Sequence, residues 1–138
     1  MIKLSTLIAV VSISIVCAAS TNDASDRVVE FLTNAHTGKP MRADDWLTRK
    51  ARSAEKFVAF GGLDALVRQS TERAARFGGL ESVRVVNVKI EGPSRVVTAE
   101  VNFKRDHREP ENPAKAASED MIWQLRVLDE DGTLKVDF

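Results

Sequence analysis

The 138 residues include 20 basic and 20 acidic side chains, two His, one Cys and no Tyr, for a formal net charge of zero. A chain without excess charge has no overall field to draw in polyanions, so nucleic-acid binding would need a local basic patch, and none stands out. A lone cysteine closes no intramolecular disulfide, and the two His supply no metal-ligand spacing, so the chain reads as free of metal and cofactor.

Residues 1–19 differ from the rest of the chain. Lys3 gives a short basic start, and Leu7 to Ala19 run apolar with only Ser12 and Ser14 interrupting. This predicts a secretory signal rather than a membrane span, because about 13 residues of helix cover roughly 20 Å against a hydrocarbon core of about 30 Å. Cleavage after Ala19 places the small residues Cys17 and Ala19 at the −3 and −1 positions; Ala18 is the second choice. Lipidation of Cys17 is disfavoured because Val16, not a small residue, precedes it. Removal at Ala19 leaves residues 20–138 as a single domain without cysteine, which suits an oxidising compartment.

The domain begins with a helix. Ser25 or Asp23 can cap it, Val28, Phe31, Leu32 and Ala35 fall on one apolar stripe, and Gly38 and Pro40 stop it. From Ala43 to Phe60 a less regular helical pattern puts Trp46, Leu47, Ala51, Ala54, Phe57 and Val58 inward, ending at Gly61-Gly62. A third helix is predicted over 63–77, with Leu63, Leu66, Val67, Ala74 and Phe77 inward and Gly78-Gly79 as its left-handed stop. The strings FGGLDAL and FGGLESV look like a repeat, but one leads into a helix and the other into a strand; shared helix-stop chemistry explains both.

Past Leu80 the apolar period changes from 3.6 to 2. Val86, Val88 and Ile90 form one face of a first strand, and Val97, Ala99, Val101 and Phe103 one face of a second, with Gly92-Pro93-Ser94 turning between them. After a polar stretch from Arg105 to Ser118, a third strand carries Met121, Trp123, Leu125 and Val127. Gly132 turns it into a fourth with Leu134, Val136 and Phe138. Helices first and a four-strand meander after predict an α+β domain, with the helices packed on a curved antiparallel sheet.

The order and the segments DRVVEFLTNAHTGKP, FGGLESVRVVNVKIEG, VVTAEVNFKRD and EDMIWQLRVLDEDGTLKVDF resemble the small secreted bacterial members of the nuclear transport factor 2-like superfamily. The resemblance implies a cone of helices wrapped by a bent antiparallel sheet, with self-association through that sheet. Relatives often insert a short strand between the second and third helices. No period-two run occurs between Trp46 and Phe60, so a helix filling that stretch would narrow the cone. The superfamily carries enzymes, binding modules and assembly factors on one scaffold, so the resemblance by itself names no activity.

Enzymes of this superfamily place a carboxylate, sometimes with a His or Tyr, inside the cone; on that analogy Asp44, Asp45 and His36 are the candidate proton shuttles. Burial would matter most, since a carboxylate in an apolar cavity has a raised pKa and can move protons near neutrality. An acidic pair just before Trp46 is also what caps a helix and complements its dipole, and His36 in a last turn suits free carbonyls. Trp46, Phe57, Phe103, Met121, Trp123 and Leu125 are the candidate pocket-lining residues, with core packing as the alternative.

The remaining charged groups read as solvated surface. His107 sits with Arg105, Asp106, Arg108 and Glu109 in a polar loop, and Arg68, Arg73 and Arg76 line one helix face, joined by Arg49, Lys50, Arg52 and Lys56. The expected function is an exported, non-catalytic binding or accessory protein of the bacterial cell envelope that engages a protein partner, a second copy of itself or a small apolar ligand. A small isomerase- or dehydratase-like enzyme is the alternative, and an accessory factor of envelope secretion or conjugation machinery is a third.

Overall fold

A computed structural model of the protein describes residues 20–104 and 122–138. The leader with Cys17, the polar cluster around His107 and the pocket candidate Met121 lie outside the described residues. Among the described residues five helices precede four strands in chain order: α1 Thr21–Thr37, α2 Ala43–Trp46, α3 Arg49–Ser53, α4 Glu55–Phe60, α5 Gly62–Arg76, β1 Leu80–Glu91, β2 Ser94–Phe103, β3 Ile122–Glu130 and β4 Thr133–Asp137. The sheet is an antiparallel meander in the order β1-β2-β3-β4. The α+β arrangement expected from the change of period is therefore present.

Helix α1 starts earlier than expected. Its cap is Ser20, whose hydroxyl accepts from the Asp23 amide at 3.4 Å, rather than Ser25 or Asp23. It stops at Gly38 as predicted, where φ is 74°. Between the two ends, Ala24, Val28, Phe31, Leu32 and Ala35 are all fully buried. They meet Val97, Ala99, Val101, Leu125, Val127 and Val136 from one face of the sheet, and this contact is the core. Burying each such Val, Leu or Phe side chain is worth about 1.5–3 kcal/mol relative to exposure.

The single helix expected over 43–60 is instead three short ones. Leu47 leaves α2 in extended conformation (φ −115°, ψ 144°) and forms a parallel bridge with Val136, while the Thr48 amide donates to the Val136 carbonyl at 3.0 Å. Thr48 then caps α3: its hydroxyl accepts from the Ala51 amide at 3.1 Å and donates to the Asp137 carboxylate at 2.7 Å. Ala54, also extended, separates α3 from α4. A long-range partner on β4 thus overrides local helix propensity. Of the residues expected inward here, Trp46, Leu47 and Ala51 are buried, Ala54 and Phe57 are half-buried, and Val58 is 60% exposed. The segment is therefore broken, and Leu47 from it joins the sheet edge.

Helix α5 ends as its sequence requires. The Gly79 amide reaches the Ala74 carbonyl at 2.8 Å and the Gly78 amide reaches Ala75 at 3.3 Å, with both glycines at positive φ. This is the Schellman closure, in which glycine alone adopts the left-handed turn without strain. It delivers the chain to β1 at Leu80.

The face assigned to β1 is corrected by the structure. Register shifts between Leu80 and Ser82 and between Val85 and Asn87 insert an extra residue at each point. Leu80, Val83, Val85 and Val88 therefore pack against the core, whereas Val86 and Ile90 are 46% and 65% exposed. A one-residue bulge exchanges the two faces of everything beyond it, so strict alternation read from the sequence fails across it. The bulge also interrupts an edge strand of 12 residues that would otherwise offer an unbroken template for another chain.

Phe31 is fully buried against Trp46 and the sheet. Phe31→Ala is expected to destabilise the fold by about 3–5 kcal/mol, whereas Ile90→Thr, at the exposed end of β1, should change stability by no more than about 0.5 kcal/mol. Chemical denaturation of both variants checks the pair, and comparable losses would mean that the bulge is misplaced.

Candidate functional site

The five pocket candidates among the described residues, all but Met121, do not converge on one cavity. Trp46 is buried at one end of α1, tilted against Phe31 with ring centroids 5.9 Å apart and covered by the Arg27 guanidinium 3.5 Å from its own centroid. Arg27 also donates to the Leu134 carbonyl at 3.0 Å and the Asp45 carbonyl at 2.7 Å, so it ties α1, α2 and β4 together. Burial lowers its pKa, while Glu30 and Asp45 act in the opposite direction. Phe103 and Trp123 lie at the other end of α1, against His36, about nine residues or roughly 13 Å along the axis from Arg27. Phe57 stacks on Phe138 at 4.9 Å at the margin of the helical layer, and Leu125 is part of the core.

The three proton-shuttle candidates fall in opposite environments. Asp44 and Asp45 have side chains 62% exposed and face Arg42 at 3.4 and 3.9 Å, with Arg52 a further 4.0 Å partner of Asp44. They are not the caps expected of them: Arg42 occupies the cap position without a side-chain bond, and the two acids fill the first turn of α2. Their exposure removes the apolar surroundings that would prepare either one for proton transfer.

His36, by contrast, is only 2% exposed. Its Nδ1 lies 2.7 Å from the Leu32 carbonyl, one turn back inside α1 and not at the free carbonyls of the helix end, and its Nε2 is buried without a hydrogen-bond partner among the described residues. Burial is the largest influence on the ring and pushes its pKa down; the Leu32 bond opposes this and Arg73 reinforces it. The net direction favours the neutral ring, in which Nδ1 donates to the Leu32 carbonyl.

The basic residues divide. Arg49 pairs with Asp131 and its amide bonds to Glu130, fastening α3 to the β3–β4 turn. A hollow of about 520 Å³ beside Arg68, Gln69, Glu72, Arg73 and Arg76 is lined by α5 alone among the described residues. One helix face is convex, so those residues do not by themselves enclose a site. No group of three or more His, Cys, Asp or Glu among the described residues could hold a metal ion.

A better-formed hollow was missed in the sequence. The left-handed turn at Gly38 sends the chain back along α5, where Thr71 donates to the Ala35 carbonyl at 3.0 Å. A Cβ on Gly38 would meet the Thr71 side chain at 3.4 Å, so α1 and α5 approach closely there. Beyond this contact Pro40, Met41 and Val67 wall an open groove of about 370 Å³. It adjoins a second hollow of about 380 Å³ along Ala43, Gly62 and Leu63, and the two share Met41 and Asp64. Asp64, Arg68 and Glu72 succeed one another at four-residue intervals along the α5 rim, an arrangement of alternating charge that supports the helix. The available signal was an apolar Met41 just after a Gly-Lys-Pro stop, but only the packing of α5 shows what it faces.

No family model matches the sequence. Nor does any curated protein match it. Solved structures do. A crystal structure of a Campylobacter jejuni protein, a candidate NTF2-like transpeptidase by name, superposes with a TM-score of 0.61 at 14% identity over 86% of this chain and 99% of that one. A de novo designed NTF2 fold protein superposes with a TM-score of 0.52 at 15% identity, covering 88% of this chain and 86% of the design. At such identities the likeness concerns architecture and carries no activity across. The helices cradled by a four-stranded antiparallel meander therefore give this chain the nuclear transport factor 2-like fold.

Proposed function

We propose that the protein is an exported, non-catalytic binding protein of the bacterial cell envelope that receives an apolar side chain of a partner protein in the groove between the Gly38–Met41 turn and α5. The observation that carries this reading is the open groove of about 370 Å³ walled by Pro40, Met41 and Val67 and rimmed by charge, on a molecule whose sheet interior is already occupied by α1. An apolar floor with a polar rim is the usual form of a protein-binding patch. The exposed, ion-paired Asp44 and Asp45 favour binding over proton transfer.

The test places a photo-cross-linking side chain at Pro40 and, as control away from both the groove and the outer sheet face, at Lys56, both exposed. A discrete protein adduct from position 40, absent at 56 and lost in Val67→Glu, is expected; equal adducts at both positions, or none at 40, would overturn the reading. An adduct of small-molecule mass would instead favour the apolar-ligand alternative.

Export belongs to the same proposal. Cleavage after Ala19 would make Ser20, the cap of α1, the first residue and so leave every described element intact. The intact mass of protein recovered from the cell envelope fraction should correspond to a chain starting at Ser20, or at Ala19 if Ala18 is the cleavage point. A chain retaining Met1 in the cytosol would refute export. No helix among the described residues is long and apolar enough to cross a membrane.

Self-association through the outer sheet face completes the proposal. That face carries Ile122, 51% exposed, beside the Arg84–Glu100 pair at 2.7 Å, a mixed apolar and charged surface that suits a weak or moderate homodimer. Light scattering at high protein concentration should show a mass above that of the monomer, and a monomer throughout would exclude it.

A further inference from the structure

His36 is where the helical layer, β2 and β3 meet. Its ring lies 5.7 Å from Trp123, nearly edge-on at 86°, and 6.0 Å from Phe103. With Nδ1 donating to Leu32, the neutral ring leaves Nε2 as an acceptor, and that atom has neither solvent nor a partner among the described residues. A buried polar atom left unmatched calls for an explanation. Neutral, the unmatched group is a lone pair among aromatic rings. Protonated, it becomes a charged N–H donor with nothing among the described residues to accept it.

Among the described residues, the groups facing the ring do not relieve that charge. On α1 itself the contact is the Leu32 carbonyl, already engaged. From α5 the charged neighbour is Arg73, of like sign. From β2 and β3 the described neighbours are Phe103 and Trp123, which carry no charge. Two residues further on, Gly38 closes α1 by donating to the Asn34 carbonyl, so the ring sits within the turn that holds the helix end shut.

We infer that His36 is an acid-sensitive latch: neutral, it pins the C-terminal turn of α1 between Trp123 and Phe103; protonated, it leaves that gap and frees the turn. The sense of the pH dependence comes from the two states. A released imidazole titrates near its ordinary pKa of about 6.5, whereas burial and Arg73 hold the latched ring below its ordinary value. The latch is therefore fully present above about pH 6.5 and is lost as pH falls toward the pKa of the buried ring, by at most about tenfold in the closed-to-open ratio per pH unit for one proton. This stands whether or not the groove takes a partner.

The chain has two His, which makes proton NMR of the imidazoles direct: His107→Gln identifies the His36 signal in an otherwise intact protein. His36 is expected to titrate below 6.5, with amides of residues 33–38 exchanging faster, after correction for intrinsic rates, as it protonates, while those of residues 123–127 stay protected. In Trp46→Phe, where Trp123 is the sole remaining Trp, the emission should change over the same pH range. His36→Gln should abolish both responses. A His36 titration at or above 6.5, an unchanged α1 turn on protonation, or the same fluorescence transition in His36→Gln overturns the latch. Should His36→Gln fail to fold, the NMR titration and exchange on the His107→Gln chain decide alone.

Discussion

Ala24, Val28, Phe31, Leu32 and Ala35 have no exposed surface, and all five come from one helix lying in the hollow of the sheet. A meander of four strands needs one face covered, and a single amphipathic helix covers it only where its stripe and the sheet curvature agree. The register of each strand is set by that requirement. Val97, Ala99 and Val101 of β2 and Trp123, Leu125 and Val127 of β3 face α1, so a slip of one residue in either strand would turn its apolar set to water.

The short helices depend on the same contact at one remove. Five residues of α3 and six of α4 are too few to be stable alone, since helices under about 12 residues are marginal in water. Polar ties to the far end of the chain hold α3, from Thr48 to Asp137 and from Arg49 to Glu130 and Asp131, while α4 stacks Phe57 on Phe138; Arg27 joins α2 to β4 through the Asp45 and Leu134 carbonyls. Exposed ion pairs of the Arg49–Asp131 kind contribute little singly, about 0–1 kcal/mol. The buried Leu47–Val136 bridge and the stacking of Arg27 over Trp46 are the stronger fasteners.

The groove and the His36 pocket meet at the C-terminal end of α1, where Gly38 follows the helix. Its C-terminal turn presents His36 to the sheet side and Gly38 to α5, so one turn of helix both closes around a buried imidazole and begins the groove. The aromatic residues expected to form one pocket are instead split between the two ends of α1, with Trp46 at Arg27 and Trp123 at His36. Burial also separates residues that the sequence treats alike: His36 is enclosed, whereas Asp44 and Asp45, eight and nine residues later, stand in water.

What the order of residues determined by itself is whatever depends on near neighbours. The stripe of α1, the glycine stops at Gly38 and Gly78-Gly79, the alternation of β2 and β3 and the Gly132 turn are all local, and each was legible because backbone conformation and periodicity act over a few residues. The tertiary structure alone decided the rest: the break at Leu47, the bulge at Val86, the burial of His36 and the groove at Met41. Each depends on a partner remote in sequence, Val136, Ala99 and Thr98, Phe103 and Trp123, and Val67 respectively. Period and propensity carry no record of such partners, because a residue's own sequence neighbours do not reveal which distant surface will pack against it.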